Sequence, residues 1–194
     1  WLAFGCALMA AMLFPFETAR SWAVASIALP GDIGSFTIGT YTNSVTAIML
    51  LLVSFVGAIV SRYSRNYLDG EARQGQFHKW LSLTLAAILF LIVSGNLLMF
   101  SLAWIATSLC LHQLLVFYRE RPAAVLAAHK KFLFARVAEV ALFAAVLLLY
   151  RHHGTWNISE ILAAYPSQTL SVSEQMAAFF LAVAALVKCA QLPV

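Results

Sequence analysis

The sequence predicts an all-α polytopic membrane protein, a bundle of helices crossing a bilayer, and three observations carry that prediction. Of its 194 residues 62% are hydrophobic and only 10% charged, against about a quarter charged in soluble domains. Several apolar runs approach the roughly 20 residues needed to cross the hydrocarbon. The Lys and Arg residues collect in alternate connections between those runs. The net charge of +4 is therefore a topology signal and not a nucleic-acid footprint.

Taken in order, residues 1–16 form the remainder of a first span, ended by Pro15, because the residue before a proline is pushed out of the helical region. Residues 17–43 are polar and turn-rich, with Pro30-Gly31-Asp32 and an alternating stretch from Phe36 to Tyr41 that suits a short hairpin or an extended surface loop. The second span is expected at 44–61. A hydrophilic connection, 62–79, follows and holds Arg62, Arg65, Arg73 and Lys79. The run from Trp80 to Tyr118 is too long for one crossing, and Ser94-Gly95-Asn96 is its only polar break. A tight reversal there gives spans at 80–94 and 97–118. A second basic connection, 119–131, carries Arg119, Arg121, Lys130 and Lys131, before a fifth span at 132–150. Residues 151–173 are weakly amphipathic around Ile158–Ala164 and suit a short interfacial helix, and the sixth span covers 175–194.

The two basic connections hold four Lys/Arg each, the first and fifth connections one each (Arg20 and Arg151), and the Gly95-Asn96 turn none. By the positive-inside rule the loops 62–79 and 119–131 are cytoplasmic and are the natural contacts for a peripheral partner. The chain opens on Trp1 in mid-helix and stops at Val194, which reads as a fragment of one transmembrane domain. Cys6, Cys110 and Cys189 are far apart in apolar runs, fit neither a metal-ligand spacing nor a disulfide framework, and are best read as small packed residues.

Charges inside the spans are where chemistry is expected. Lys188 lies deep in the last apolar helix, with Gln191 and Pro193 about one turn on. An intramembrane lysine costs about 2.5–3.5 kcal/mol on insertion scales, so packing alone does not account for it. Pro193 lacks an N–H and opposes a continuous helix, freeing carbonyls near the charge. A lysine beside a broken helix is a proton or ion site by default, needing no cofactor of its own. Arg136 and Glu139 are three apart on one helical face, where they can neutralise each other; a purely packing role for the pair is the alternative. Ser101, Ser108 and His112 share a face of the fourth span. The serines can simply bond back to the preceding turn or hold helices together. His112 is a candidate because an ordinary imidazole changes charge near neutrality, though a histidine at a membrane boundary requires no function. His152 and His153, in the outward connection, are most simply solvated.

The stretch Leu186-Val-Lys-Cys-Ala-Gln-Leu-Pro-Val194 resembles the K-S-A-Q-L-P segment of the antiporter-like subunits of respiratory complex I and of multisubunit cation/proton antiporters. Residues 96–104 are similar to that family's N-L-L-L-M-F-x-x-W-E helix, and residues 130–139 to its K-A-F-x-x-N-R-x-G-D segment. The resemblance implies two inverted five-helix repeats, the first incomplete here, and a discontinuous helix bearing a proton-carrying lysine, Lys188. It places Glu139 where an acidic residue is found. One departure matters: the family's glutamate after the tryptophan is replaced by Ile105, next to Trp104. The usual Glu–Lys switch is missing. Residues 111–132 resemble instead the DabB branch, membrane subunits of bacterial inorganic-carbon accumulation complexes. That resemblance implies a proton- or sodium-conducting subunit and not an enzyme, whose peripheral partner is a carbonic-anhydrase-like, DabA-like protein holding the zinc. It implies a bacterial inner membrane and Lys188 as the proton carrier; Glu139, His112 and Arg136 are expected beside it as relay or tuning charges. A proton-pumping subunit of an NADH:quinone oxidoreductase or a multisubunit antiporter is the alternative, and a scaffold that no longer conducts is a third reading.

Overall fold

The computed structural model describes residues 4–6, 8–9, 20–28, 35–118, 120–164 and 171–189. The described part of the first predicted span, 4–6 and 8–9, is helical, and Phe4 lies against Phe55 with ring centroids 5.4 Å apart. The alternating stretch does form a hairpin: β1 (Arg20–Ala28) pairs antiparallel with β2 (Ser35–Thr42), Arg20 opposite Thr42, with a bulge between Ala23 and Ala25. Among the described residues six helices follow: α1 (Ser44–Tyr67), α2 (Gln74–Val93), α3 (Leu97–Leu115), α4 (Pro122–His153), α5 (Ile158–Ala164) and α6 (Val172–Lys188). Among the described residues four helices, α1 to α4, are long and apolar enough to span a membrane. The architecture is a polytopic membrane helix bundle.

Two predicted boundaries need correction. The basic connections are not loops 62–79 and 119–131: α1 runs to Tyr67, α2 starts at Gln74, and α4 starts at Pro122, so most basic residues ride on helix ends. Hydropathy marks where a chain leaves the hydrocarbon, whereas the backbone stays helical as long as helix formers continue, and Ala, Gln, Lys and Arg are such residues. Pro122 is pre-set for a first helical position. With 32 residues, α4 is about 48 Å long, well beyond the ~30 Å hydrocarbon core. Its basic N-terminal turns therefore project past the core. Its other end is closed by Gly154 at φ 68°, whose N–H donates to the Tyr150 carbonyl at 2.8 Å, the usual left-handed stop.

The distribution of side chains is that of a membrane protein. Along α1 the buried positions are Thr46, Ser54, Gly57 and Ser64, while Val45, Ile48, Leu52, Phe55, Val56 and Ile59 are exposed. In a bilayer the apolar groups gain nothing by moving inward, so small and weakly polar residues take the helix contacts. Gly57 shows why: a Cβ there would lie 2.7 Å from a Leu85 methyl of α2. The α4–α6 seam follows the same rule. Ala138, Ala141 and Ala145 on α4 and Ala177 and Ala184 on α6 are buried, around Leu142, Val146 and Trp156.

Gly95 and Asn96 make the predicted reversal, and the turn is clasped from both sides. The Gly95 N–H donates to the Gly39 carbonyl of the hairpin (2.9 Å), its own carbonyl accepts from Ile158 N–H (3.0 Å), and Leu97 N–H donates to the Trp156 carbonyl (2.9 Å). Asn96 is fully buried and its side-chain oxygen accepts from Leu98 N–H at 2.8 Å, capping α3. Hairpin, turn and the 154–158 segment so lock one end of the bundle, opposite the basic helix ends.

Candidate functional site

Three helices meet at the predicted charges. α4 supplies Arg136 and Glu139, α3 supplies Trp104 and Ser108, and α6 supplies Lys188. The 1.5 Å rise per residue puts Glu139 about 21 Å from the His153 end of α4, inside the hydrocarbon depth. Glu139 is buried, 5% exposed. One Nη of Arg136 donates to its Oε1 at 2.8 Å and reaches the Ser108 hydroxyl at 3.4 Å. The guanidinium also lies over the Phe132 ring, 4.6 Å from its centroid. The local pair expected from the spacing is therefore formed, and Ser108 turns inward onto it. Ser101 differs: it is fully buried and its hydroxyl donates to the Leu97 carbonyl at 2.8 Å, a bond back to the preceding turn.

Lys188 closes α6. Cys189 caps the helix, its N–H donating to the Ala185 carbonyl at 2.9 Å, so the lysine sits in a last turn whose carbonyls favour a cation. Its ammonium lies over the indole of Trp104, 4.5 Å from the ring centroid, a cation–π contact that strengthens away from water. The carboxylate acting on that ammonium is Glu139, and the cations acting on it are Lys131 and Arg136. One flank of Lys188 stays exposed. Gln191 and Pro193 lie outside the described residues. The site is thus an electrostatic unit spread over three helices, a buried carboxylate paired with a guanidinium and acting through its field on an ammonium.

His112 stands apart from it. Its ring packs on Phe132 (4.6 Å between centroids) and edge-on to His129 (5.6 Å), near the start of α4. Phe132 therefore lies under Arg136 on one side and beside His112 on the other, which links the two through an apolar ring and not through a hydrogen bond. Sequence reasoning missed the indole under Lys188: Trp104 entered only as a motif letter, and a tryptophan in an apolar run gives no sign of what it faces. Ile105, half-buried on α3, offers no polar atom, and the carboxylate whose field reaches the lysine comes from α4.

The second miss lies at the other end of the bundle. His152 and His153 are not simply solvated, since His153 has a side chain only 11% exposed and faces the buried Glu174 of α6 at 3.2 Å.

Comparison with known proteins agrees with this architecture. Residues 94–194 match the family described as NADH:quinone oxidoreductase/Mrp antiporter, TM, and residues 31–78 match NADH-Ubiquinone oxidoreductase (complex I), chain 5 N-terminus. The chain is 49% identical over 156 residues to the "probable inorganic carbon transporter subunit DabB" of Hydrogenovibrio crunogenus, covering 78% of this chain and 30% of that protein. It is 39% identical over 192 residues to the "probable inorganic carbon transporter subunit DabB2" of Halothiobacillus neapolitanus, covering 98% of this chain and 35% of that one. NADH-quinone oxidoreductase subunit L of Escherichia coli is 31% identical over 166 residues, covering 84% of this chain and 27% of its own. The chain therefore spans about a third of the curated relatives it matches. Among solved structures, a chain of the Mrp complex from Dietzia sp. DQ12-45-1b superposes with a TM-score of 0.76 at 24% identity, over 95% of this chain and 20% of its own, a likeness of fold. A family match over more than half of the residues, on a bundle of membrane helices, makes this chain a member of the NADH:quinone oxidoreductase/Mrp antiporter transmembrane family.

Proposed function

We propose that this chain belongs to the cation-conducting membrane subunit of an inorganic-carbon uptake complex, and that Lys188 carries the proton or cation step. The observation that carries this reading is the ammonium of Lys188 on Trp104 within the field of the buried Glu139–Arg136 pair. A charge this costly in a bilayer is retained where its ionisation does something. Ion pairing with Arg136 holds Glu139 in its charged form, and loosening of that pair frees the carboxylate to hold Lys188. Movement of one guanidinium thus biases the proton occupancy of the lysine. Because Ile105 supplies no acid on α3, Glu139 takes the part of the partner carboxylate. The exposed flank of Lys188 is the side on which a further helix or subunit would complete the path. His112, tilted against the Phe132 ring on which Arg136 lies, stands between the relay and the basic end.

The substrate assignment rests on the names of the relatives in Hydrogenovibrio and Halothiobacillus. The partner is then a peripheral carbonic-anhydrase-like zinc subunit docked on the basic helix ends, in a bacterial inner membrane with those ends cytoplasmic. Its catalytic zinc is its own, and the relay in this chain works without a cofactor. The similarity to an NADH-quinone oxidoreductase subunit favours a second reading, in which the same lysine serves redox-driven pumping. Affinity purification of the full-length protein separates the two. Recovery of a zinc-containing soluble subunit, together with loss of carbon accumulation in Lys188→Ala at normal assembly, supports uptake; recovery of flavin- or iron–sulfur-containing subunits instead overturns it.

A further inference from the structure

Neighbouring histidines at the end of a membrane helix carry no signal by themselves, and no third ligand lies near them in sequence. The fold supplies one. Because α6 packs antiparallel along α4, its first turn returns to the place where α4 stops at Gly154. Glu174 Oε1 thereby lies 3.2 Å from His153 Nε2 and 3.7 Å from His152 Nδ1, and all three ligand atoms fall within 4.8 Å of one another. The two rings are 4.8 Å apart with planes inclined at 74°, so they flank the carboxylate and do not stack.

The carboxylate is held in place from behind. Its second oxygen, Oε2, accepts from Ser171 N–H at 2.7 Å, while Ser171 Oγ accepts from Glu174 N–H, a complete capping box. Glu174 and His153 have side chains only 6% and 11% exposed, and His152 at 29% forms the open side. A tetrahedral zinc ion with ligands at about 2.1 Å separates its donor atoms by about 3.4 Å. Two of the separations here fall on either side of that value, and rotation of the more exposed His152 ring adjusts the third. Two imidazole nitrogens with one carboxylate oxygen suit a zinc-class cation, whereas calcium and magnesium take oxygen ligands.

We infer that His152, His153 and Glu174 form a binding site for a zinc-class divalent transition-metal ion, with the fourth position open to solvent. The site is separate from the zinc assigned above to the partner, and lies at the end of the bundle opposite the basic helix ends. An ion there ties the end of α4 to the start of α6, the helix that carries Lys188. It is a clamp across the seam between the two charge-bearing helices.

The test uses the full-length membrane subunit, purified without its partner, stripped of metal and titrated with Zn2+ alone. Wild type should bind one Zn2+ more per chain than the His152→Asn/His153→Asn variant, and its thermal midpoint should rise with Zn2+ while that of the variant stays put. Glu174→Gln keeps a capping box, because Gln serves at that position, and should weaken binding at least about tenfold. Co2+ in the same site should give the intense visible absorption of tetrahedral coordination, lost in His152→Asn alone, a change at the exposed edge that leaves the buried contacts intact. Equal stoichiometry and affinity in wild type, Glu174→Gln and His152→Asn would overturn the proposal, as would a wild type that binds no Zn2+ at micromolar concentration.

Discussion

At the scale of the residue, the buried Glu139 is held by two groups among the described residues. Glu139 has Arg136 at 2.8 Å and, from α3, the Ser108 hydroxyl. Removing one member of a buried pair costs more than removing both, because the remaining charge is left without a partner. Arg136→Ala should therefore lower the thermal midpoint of the purified subunit, and adding Glu139→Gln to it should restore part of the loss; additive losses would mean that the two do not act as a pair. Glu139→Gln by itself should abolish most transport if this carboxylate answers Lys188, whereas a packing role predicts near-normal flux with a shifted midpoint. The pairing was legible in the sequence from the three-residue spacing on one helix. The inward turn of Ser108 was not, because the spacing that puts Ser101, Ser108 and His112 on one face cannot say which of them meets a charge and which bonds back to its own helix.

At the scale of the element, the reversal at Gly95 is the feature whose importance exceeded its sequence signal. A polar break in a long apolar run identifies a turn, but nothing local shows that the hairpin and the 154–158 segment both lean on it. A Cβ at Gly95 would lie 2.9 Å from the Gly39 carbonyl oxygen and 3.0 Å from backbone atoms of Thr40 and Tyr41. Those atoms are main chain and cannot swing away as a side chain can. Gly95→Ala should then unseat the hairpin, seen as faster amide exchange across Gly39–Thr42, while Gly75→Ala, with open space around its Cβ, should not. A neighbouring device is pH-dependent. The carboxylate of Glu160 accepts hydrogen bonds from the Thr155 hydroxyl and from Asn157 Nδ2, the latter at 2.8 Å, and these bonds hold its pKa below the ordinary range, Thr155 first. A depressed folded pKa means that the stabilisation is fully present above the unfolded value of about 4.3 and is lost as the pH falls through the folded one. Amide exchange around 155–161 should accelerate in acid for wild type and show little pH response in Glu160→Gln. The hairpin itself could be read from the Phe36–Tyr41 alternation. The helical ends of the basic connections could not, since charge density and helix formation report different things.

At the scale of the whole molecule, the membrane class and the reversal between two spans followed from hydropathy and charge placement, because a bilayer imposes those rules on any chain that crosses it; the lysine helix is present, but Lys188 is its last residue and not deep within it. What hydropathy leaves open is which helices touch. Small residues decide that here, as in the alanine seam between α4 and α6, and the seam brings Lys188 into the field of Glu139 at one level and Glu174 to His152 and His153 at the other. The most direct measurement of the central claim is proton flux through the full-length subunit with its partner in proteoliposomes, comparing wild type with Lys188→Ala under an imposed pH gradient. Flux that falls to the level of empty vesicles in the variant, with the complex still intact by size, is the predicted result; undiminished flux in Lys188→Ala would contradict it.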